Sequence, residues 1–179
     1  MRILFVCTGN ICRSPMGELL LPRFIPDQDI VADSAGTRGL PRHPIDSHSA
    51  ALLAHENIDS SMFRSKRIAP QIANDADLIL CFEPHHITDV VTLAPRAGRY
   101  TFLLTDFANL CVYCAKQGYI QGPTRQAKLE SAIGNASLVR PMLPKPMTIA
   151  DPYKQELSVF IQAHNAICQA LTLIARATE

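Results

Sequence analysis

Cys7 and Arg13 stand six positions apart, with Thr8, Gly9, Asn10, Ile11 and Cys12 between them and Ser14-Pro15 directly after. A cysteine thiolate is a strong nucleophile, and a guanidinium matches the oxygens of a phosphate in a bidentate fork. The stretch follows the apolar run Ile3–Val6 and precedes a helical pattern. A loop entering a helix N-terminus aims several backbone N–H groups at one spot, and the helix dipole adds positive potential there, so an anion is favoured. Ser14 is expected as the N-cap and Pro15 in the first turn. The field that binds the anion also favours a thiolate at Cys7, at the bottom of the cradle. A Cys and an Arg at this spacing alone mean little, because most cysteines are small buried hydrophobes. Combined with Gly9, Asn10, Ser14, Pro15 and a strand–loop–helix context, they read as a phosphoryl-transfer site.

Cleaving a phosphomonoester also needs a proton for the leaving oxygen. The candidate donor is Asp151, which precedes Pro152 and Tyr153 in a loop before the last helical pattern. Taken alone, Asp151 reads more readily as a helix N-cap. Beside a phosphate loop it reads as general acid, and then as the base that activates water. Tyr153 is placed to stack on an aromatic leaving group.

These residues need elements to hold them. Short apolar runs at Ile3–Val6, Ile30–Ala32, Leu78–Phe82 and Tyr100–Leu104 suit strands covered on both faces. Helical patterns lie between them: Met16, Leu19, Leu20 and Phe24 form a stripe that Pro22 should kink or shorten. A second helix is expected over Ser47–Glu56, a third from Pro84, and the strongest from Leu157 through Ala175. Alternating strands and helices imply right-handed crossovers and a parallel sheet. Residues 106–146 hold Cys111, Cys114, and the prolines Pro141, Pro144 and Pro146. They are expected to be partly helical and packed at the edge of a single domain spanning 1–179.

The chain has 179 residues, 47% hydrophobic and 18% charged, with 17 Lys and Arg against 16 Asp and Glu. That composition excludes a disordered chain, and the length buries roughly 70% of the unfolded surface, enough for a core without staples. A formal charge of +1 removes the bulk electrostatic argument for nucleic acid or an anionic membrane as partner. Six cysteines are too few for a disulfide scaffold. The first apolar run is too short for a signal-peptide core, and none approaches the ~18 residues of a membrane span. The expectation is a cytoplasmic protein with reduced thiols.

The stretch Phe5-Val6-Cys7-Thr8-Gly9-Asn10-Ile11-Cys12-Arg13-Ser14-Pro15, with Asp33-Ser34-Ala35-Gly36-Thr37, Asp77-Leu78-Ile79-Leu80 and Asp151-Pro152-Tyr153, resembles the low-molecular-weight protein tyrosine phosphatase family. The resemblance spans nearly the whole chain, with 106–146 longer than in a minimal member. It implies a three-layer α/β fold with a four-stranded parallel sheet, flavodoxin-like, and no metal or organic cofactor. By the same resemblance Cys7 is the nucleophile, Arg13 the phosphate clamp and Asp151 the acid. Thr8, Gly9, Asn10, Ile11, Cys12 and Ser14 bind phosphate, with Asn10 holding the loop and Ser14 bonded to the Cys7 thiolate. Ser34 braces the loop from the neighbouring strand, and Ile11 and Tyr153 line the substrate pocket. The implied partner is a phosphotyrosine-containing protein, such as a bacterial tyrosine kinase of polysaccharide export, met by a monomer or weak dimer.

Three features depart from the family pattern. Arg38-Gly39-Leu40-Pro41 replaces a cleft aromatic in a chain with no Trp; Phe63 stands where a His often braces the loop asparagine; and Lys154-Gln155 follow Tyr153. Alternative readings are a protein arginine phosphatase, which tends to carry Thr where this chain has Ile11, a thioredoxin-linked arsenate reductase, and an inactive phosphate-binding module. The reductase needs two further cysteines near the third strand, where only Cys81 lies. Cys12 is either a small residue fitting a tight loop or a partner for oxidised Cys7. Cys111-x-x-Cys114 lacks a second ligand pair at zinc spacing, and His85-His86 reads as a solvated helix start.

Overall fold

β1 (Arg2–Cys7) is the pivot of the molecule, and its side chains alternate between two cores. Ile3, Phe5 and Cys7 enter the larger one, Leu4 and Val6 the smaller. A strand buried on both faces has no polar positions to spare, which is why this run is uniformly apolar. The computed structural model describes residues 1–179. β1 pairs in parallel with β2 (Val31–Gly36) on one side and β3 (Leu78–Cys81) on the other, and β3 pairs with β4 (Thr101–Leu103), giving the order β2-β1-β3-β4. Strand order reverses at β1, so the crevice beyond its carboxyl end is the position where open α/β sheets bind ligands.

On the larger-core side lie α1 (Arg13–Phe24), α2 (Ser47–His55), α5 (Leu104–Lys116), α6 (Arg125–Val139) and α7 (Leu157–Ala177). The opposite face is covered by α3 (Pro70–Asn74), α4 (Pro84–Leu93) and a 3-10 turn at Pro95–Tyr100. The fold is therefore the three-layer α/β arrangement with a four-stranded parallel sheet. Pro22 lies inside α1 and forfeits one bond of its ladder, and the helix ends at Phe24 because Pro26 keeps Ile25 out of the helical region, at φ −128° and ψ 78°. α7 is long and apolar enough to cross a membrane by length and composition, but its apolar residues Phe160, Ile167, Leu171 and Ile174 gather on one face and are buried.

Several boundaries differ from the sequence pattern. β2 runs on from Ala32 through Asp33 and Ser34 to Gly36, because ladder pairing with β1, residue for residue from Arg2 to Cys7, overrides the polar side chains of an edge strand. α3 carries too few apolar residues to show a period. Residues 106–146 do more than decorate an edge. Cys111 and Cys114 on α5, and Leu129, Ala132 and Val139 on α6, are fully buried in the larger core.

Candidate active site

The loop from β1 into α1 is shaped by its own polar atoms. Asn10 adopts φ 56°, a left-handed conformation that Asn tolerates better than most residues. Its side chain is fully buried and uses both ends: Nδ2 donates to Ser14 Oγ at 2.9 Å and Ser34 Oγ at 2.8 Å, and Oδ1 accepts from the Lys66 backbone N–H at 2.7 Å. The bracing that Phe63 cannot give thus comes from the main chain three residues later, while Phe63 packs against the core. Ser34 passes the network on, donating to Glu18. Burial pushes the Glu18 carboxyl above its ordinary pKa. Gly36 closes the floor: a Cβ there would lie 2.6 Å from the Thr8 carbonyl oxygen and 2.9 Å from Asn10 N.

Cys7 Sγ lies 3.0 Å from Ser14 Oγ and accepts from the Asn10 backbone N–H at 3.3 Å. Ser14 is not the N-cap. The helix begins at Arg13, two residues earlier than a cap at Ser14 requires, with Cys12 at the cap position, and this frees the Ser14 hydroxyl to face the sulfur. Cys12 is buried beside Cys7, and burial, with Asp46 adding to it, pushes its thiol well up. Cys12 therefore stays protonated at neutral pH.

Arg13 is 1% exposed and anchored by three groups from distant parts of the chain. One terminal nitrogen donates to Glu83 Oε2 at 2.6 Å and to the Ile149 carbonyl at 2.8 Å, and the other lies 2.9 Å from Asp151 Oδ2. Its Nε is buried with no partner in the protein, a donor suited to an anion in the cradle. Its guanidinium also sits 5.8 Å from the Phe82 ring centroid. Asp151 is not a helix cap, since α7 is capped by Glu156. Its Oδ1 instead accepts from the Tyr153 N–H at 3.2 Å, holding the loop so that the carboxylate faces Arg13.

A cavity of about 240 Å³ opens above Cys7. It is lined by Thr8, Gly9, Ile11 and Cys12 of the loop, by Arg38, Leu40 and His43 after β2, and by Asp151 and Tyr153. The segment after β2 therefore builds the wall with an aliphatic residue and an imidazole. Of the residues expected at the site, Cys7, Thr8, Gly9, Ile11, Cys12, Asp151 and Tyr153 line this cavity, while Asn10, Arg13, Ser14 and Ser34 are buried and tied to them by hydrogen bonds and the Arg13–Asp151 pair.

Sequence reasoning missed Glu83 and His86. His86 is not solvated but fully buried, and its Nδ1 accepts from the Glu83 N–H at 3.2 Å. That leaves Nε2 as the donor to Thr8 Oγ1, at 3.0 Å. Burial, with the Arg13 charge adding to it, lowers the His86 pKa to about 3, so the ring stays neutral. The available signal was position, because both residues directly follow β3 at the carboxyl end of a strand beside the switch point. Cys111 and Cys114 lie in the apolar core, away from the site.

Comparison with known proteins places this geometry. The family model for "Low molecular weight phosphotyrosine protein phosphatase" matches residues 2–119. The low molecular weight protein-tyrosine-phosphatase Etp of Escherichia coli K12 is 40% identical over 101 residues, 56% of this chain and 67% of its own. A structure of Vibrio vulnificus Wzb in complex with benzylphosphonate is 26% identical, with a TM-score of 0.70 over 98% of this chain and 97% of that one. The YwlE arginine phosphatase from Geobacillus stearothermophilus shares the fold, with a TM-score of 0.73 at 24% identity, over 98% of this chain and 90% of that one. With the family model covering β1 through the end of α5 and the loop built on β1 and α1, the chain belongs to the low molecular weight phosphotyrosine protein phosphatase family.

Proposed function

We propose that this protein hydrolyses phosphotyrosine in proteins through a cysteinyl-phosphate formed on Cys7. The observation that carries the reading is that Cys7 and Asp151 line one cavity while buried Arg13, its Nε without a partner, is paired with Asp151. An incoming phosphate competes with Asp151 for the Arg13 fork. The Cys7 sulfur attacks phosphorus in line as the bond to the phenolic oxygen breaks, and Asp151 gives that oxygen its proton. Arg13 and the loop N–H groups hold the equatorial oxygens through the transition state. Ser14 and the Asn10 N–H stabilise the sulfur as leaving group in the second step. There water attacks phosphorus, Asp151 takes its proton, and the P–S bond breaks.

An aryl phosphate fits this cavity better than a phosphoguanidine. Ile11, Leu40 and Tyr153 offer apolar walls, and Arg38 sets a positive charge against a guanidinium. The supporting relatives bear tyrosine-phosphatase names, and likeness to the arginine phosphatase is one of fold. The chemistry of the site fits a phosphoprotein substrate, and a tyrosine kinase of polysaccharide export remains the partner we propose.

The test is phosphate release from a phosphotyrosine peptide by wild type, Cys7→Ser and Asp151→Ala, with a phosphoarginine peptide alongside. Turnover should vanish in Cys7→Ser and fall roughly 10²–10⁴-fold in Asp151→Ala. Absence of turnover by reduced, folded wild type on both substrates would overturn the phosphatase reading. Preference for phosphoarginine would overturn the substrate assignment alone.

A further inference from the structure

A second cluster of reactive side chains lies away from the cavity, where the end of α2 meets α7. His164 and Cys168 are one helical turn apart on α7, so both project toward the same neighbour. That neighbour is Glu56, the C-cap of α2. His164 Nε2 lies 2.9 Å from Glu56 Oε1, and Cys168 Sγ lies 3.7 Å from the same nitrogen and 3.9 Å from the same oxygen. Arg23 holds the other carboxylate oxygen at 3.4 Å and the Glu56 carbonyl at 2.6 Å, which fixes Oε1 toward His164 and Cys168.

We propose that Glu56, His164 and Cys168 form a binding site for a zinc-class dication that clips α2 to α7. The donor set is one thiolate, one imidazole and one carboxylate, a mixture that suits zinc or cobalt and does not suit magnesium or calcium. The separations are close to those required. Tetrahedral zinc with ordinary bond lengths sets its ligand atoms about 3.3–3.6 Å apart, so each pair here needs to move by only a few tenths of an ångström. Two anionic ligands neutralise the ion, and Arg23 orients the carboxylate as an outer partner does in known sites. Half-buried Cys168 and Glu56 leave the fourth position to water.

Binding balances as follows. The Cys168 thiol loses its proton to solvent as the metal–sulfur bond forms. The proton on His164 Nε2 is replaced by the metal, and the neutral ring carries its proton on Nδ1. The hydrogen bond to Glu56 Oε1 becomes a shared bond to the ion. None of the three residues lines the cavity above Cys7, so the expected consequence is on the α2–α7 packing.

The test uses full-length protein carrying Cys7→Ser and Cys12→Ser, so that the cavity thiols do not compete. Cobalt(II) is titrated and the near-ultraviolet thiolate-to-cobalt charge-transfer band recorded, then zinc is added to displace it. One equivalent of cobalt should give the band, zinc should remove it, and adding Cys168→Ser should abolish it. His164→Ala should weaken cobalt binding at least tenfold. Above its Kd, each tenfold rise in free zinc should shift the folding equilibrium roughly tenfold, read as a rising Tm, and not do so in the Cys168→Ser protein. Absence of the band, or a band retained with Cys168→Ser, would overturn the proposal, and the Tm of each variant in EDTA establishes that it is folded. A Tm indifferent to zinc would overturn the clip.

Discussion

The loop from Cys7 to Arg13 and the layer formed by α5 and α6 are both buried, yet they are held by opposite means. The loop is fixed by polar atoms that satisfy one another: Asn10 to Ser14, Ser34 and Lys66, and Arg13 to Glu83, Ile149 and Asp151. The helical layer is fixed by apolar surface, with Cys111, Cys114, Leu129 and Val139 inside. Polar networks set direction and spacing, which a site needs, and lose heavily when one member goes. Apolar packing sets stability and tolerates rearrangement. The two regions should therefore respond differently to substitution.

The largest contrast is at Arg13. Arg13→Lys keeps a positive charge but loses the fork that reaches Glu83, Ile149 and Asp151, and kcat with a phosphotyrosine peptide should fall about 10²–10³-fold. A smaller loss would show that charge alone suffices there. Leu129→Ala on α6 should do the reverse. It should cost about 2–5 kcal/mol in denaturant unfolding, with kcat/KM unchanged at temperatures where the protein is folded. A matching fall in kcat/KM would mean that α6 positions the site.

Asn10 belongs to both categories. Asn10→Ala strands partners in the loop, so a loss of about 1–3 kcal/mol in stability should accompany a fall in kcat. Loss of either one without the other would break the link between network and site. The smallest effect is at His86. Its folded pKa of about 3 lies below its ordinary 6.5, so the unfolded chain binds a proton that the folded chain does not. The stability this contributes is full above pH 6.5 and is lost as pH falls toward 3, by about 1 kcal/mol between pH 6.5 and 5.5. His86→Gln should remove that part of the pH dependence, seen as the difference between wild-type and variant denaturation curves at the two pH values. Equal slopes would mean that His86 titrates alike in both states.

The same contrast explains what was legible in the sequence. The loop announced itself because its chemistry is local: Cys7, Asn10, Arg13 and Ser14 fall within eight residues. β1 and β3 were legible because strands buried on both faces have no polar positions. Glu83, His86 and the Lys66 N–H were not, since they reach the loop only through the crossover that brings β3 beside β1. Ser14 was misplaced as a cap because cap and loop positions share residue preferences, and only the helix start decides between them. The polar half of β2 shows no apolar pattern, and only the family resemblance put Ser34 on a strand, because an edge strand is specified by its partner. α6 escaped because Leu129, Ala132, Ala136 and Val139 form a thin stripe whose depth depends on α5 and α7.

The central claim is the cysteinyl-phosphate on Cys7. The direct measurement is the mass of the Cys7-containing peptide after wild type is mixed with a phosphotyrosine peptide and quenched in acid before one turnover is complete. The account expects that peptide to gain one phosphoryl group, at a rate at least equal to kcat, and expects no gain in Cys7→Ser. Release of phosphate with Cys7 never modified, or modification of another residue at the turnover rate, would contradict it.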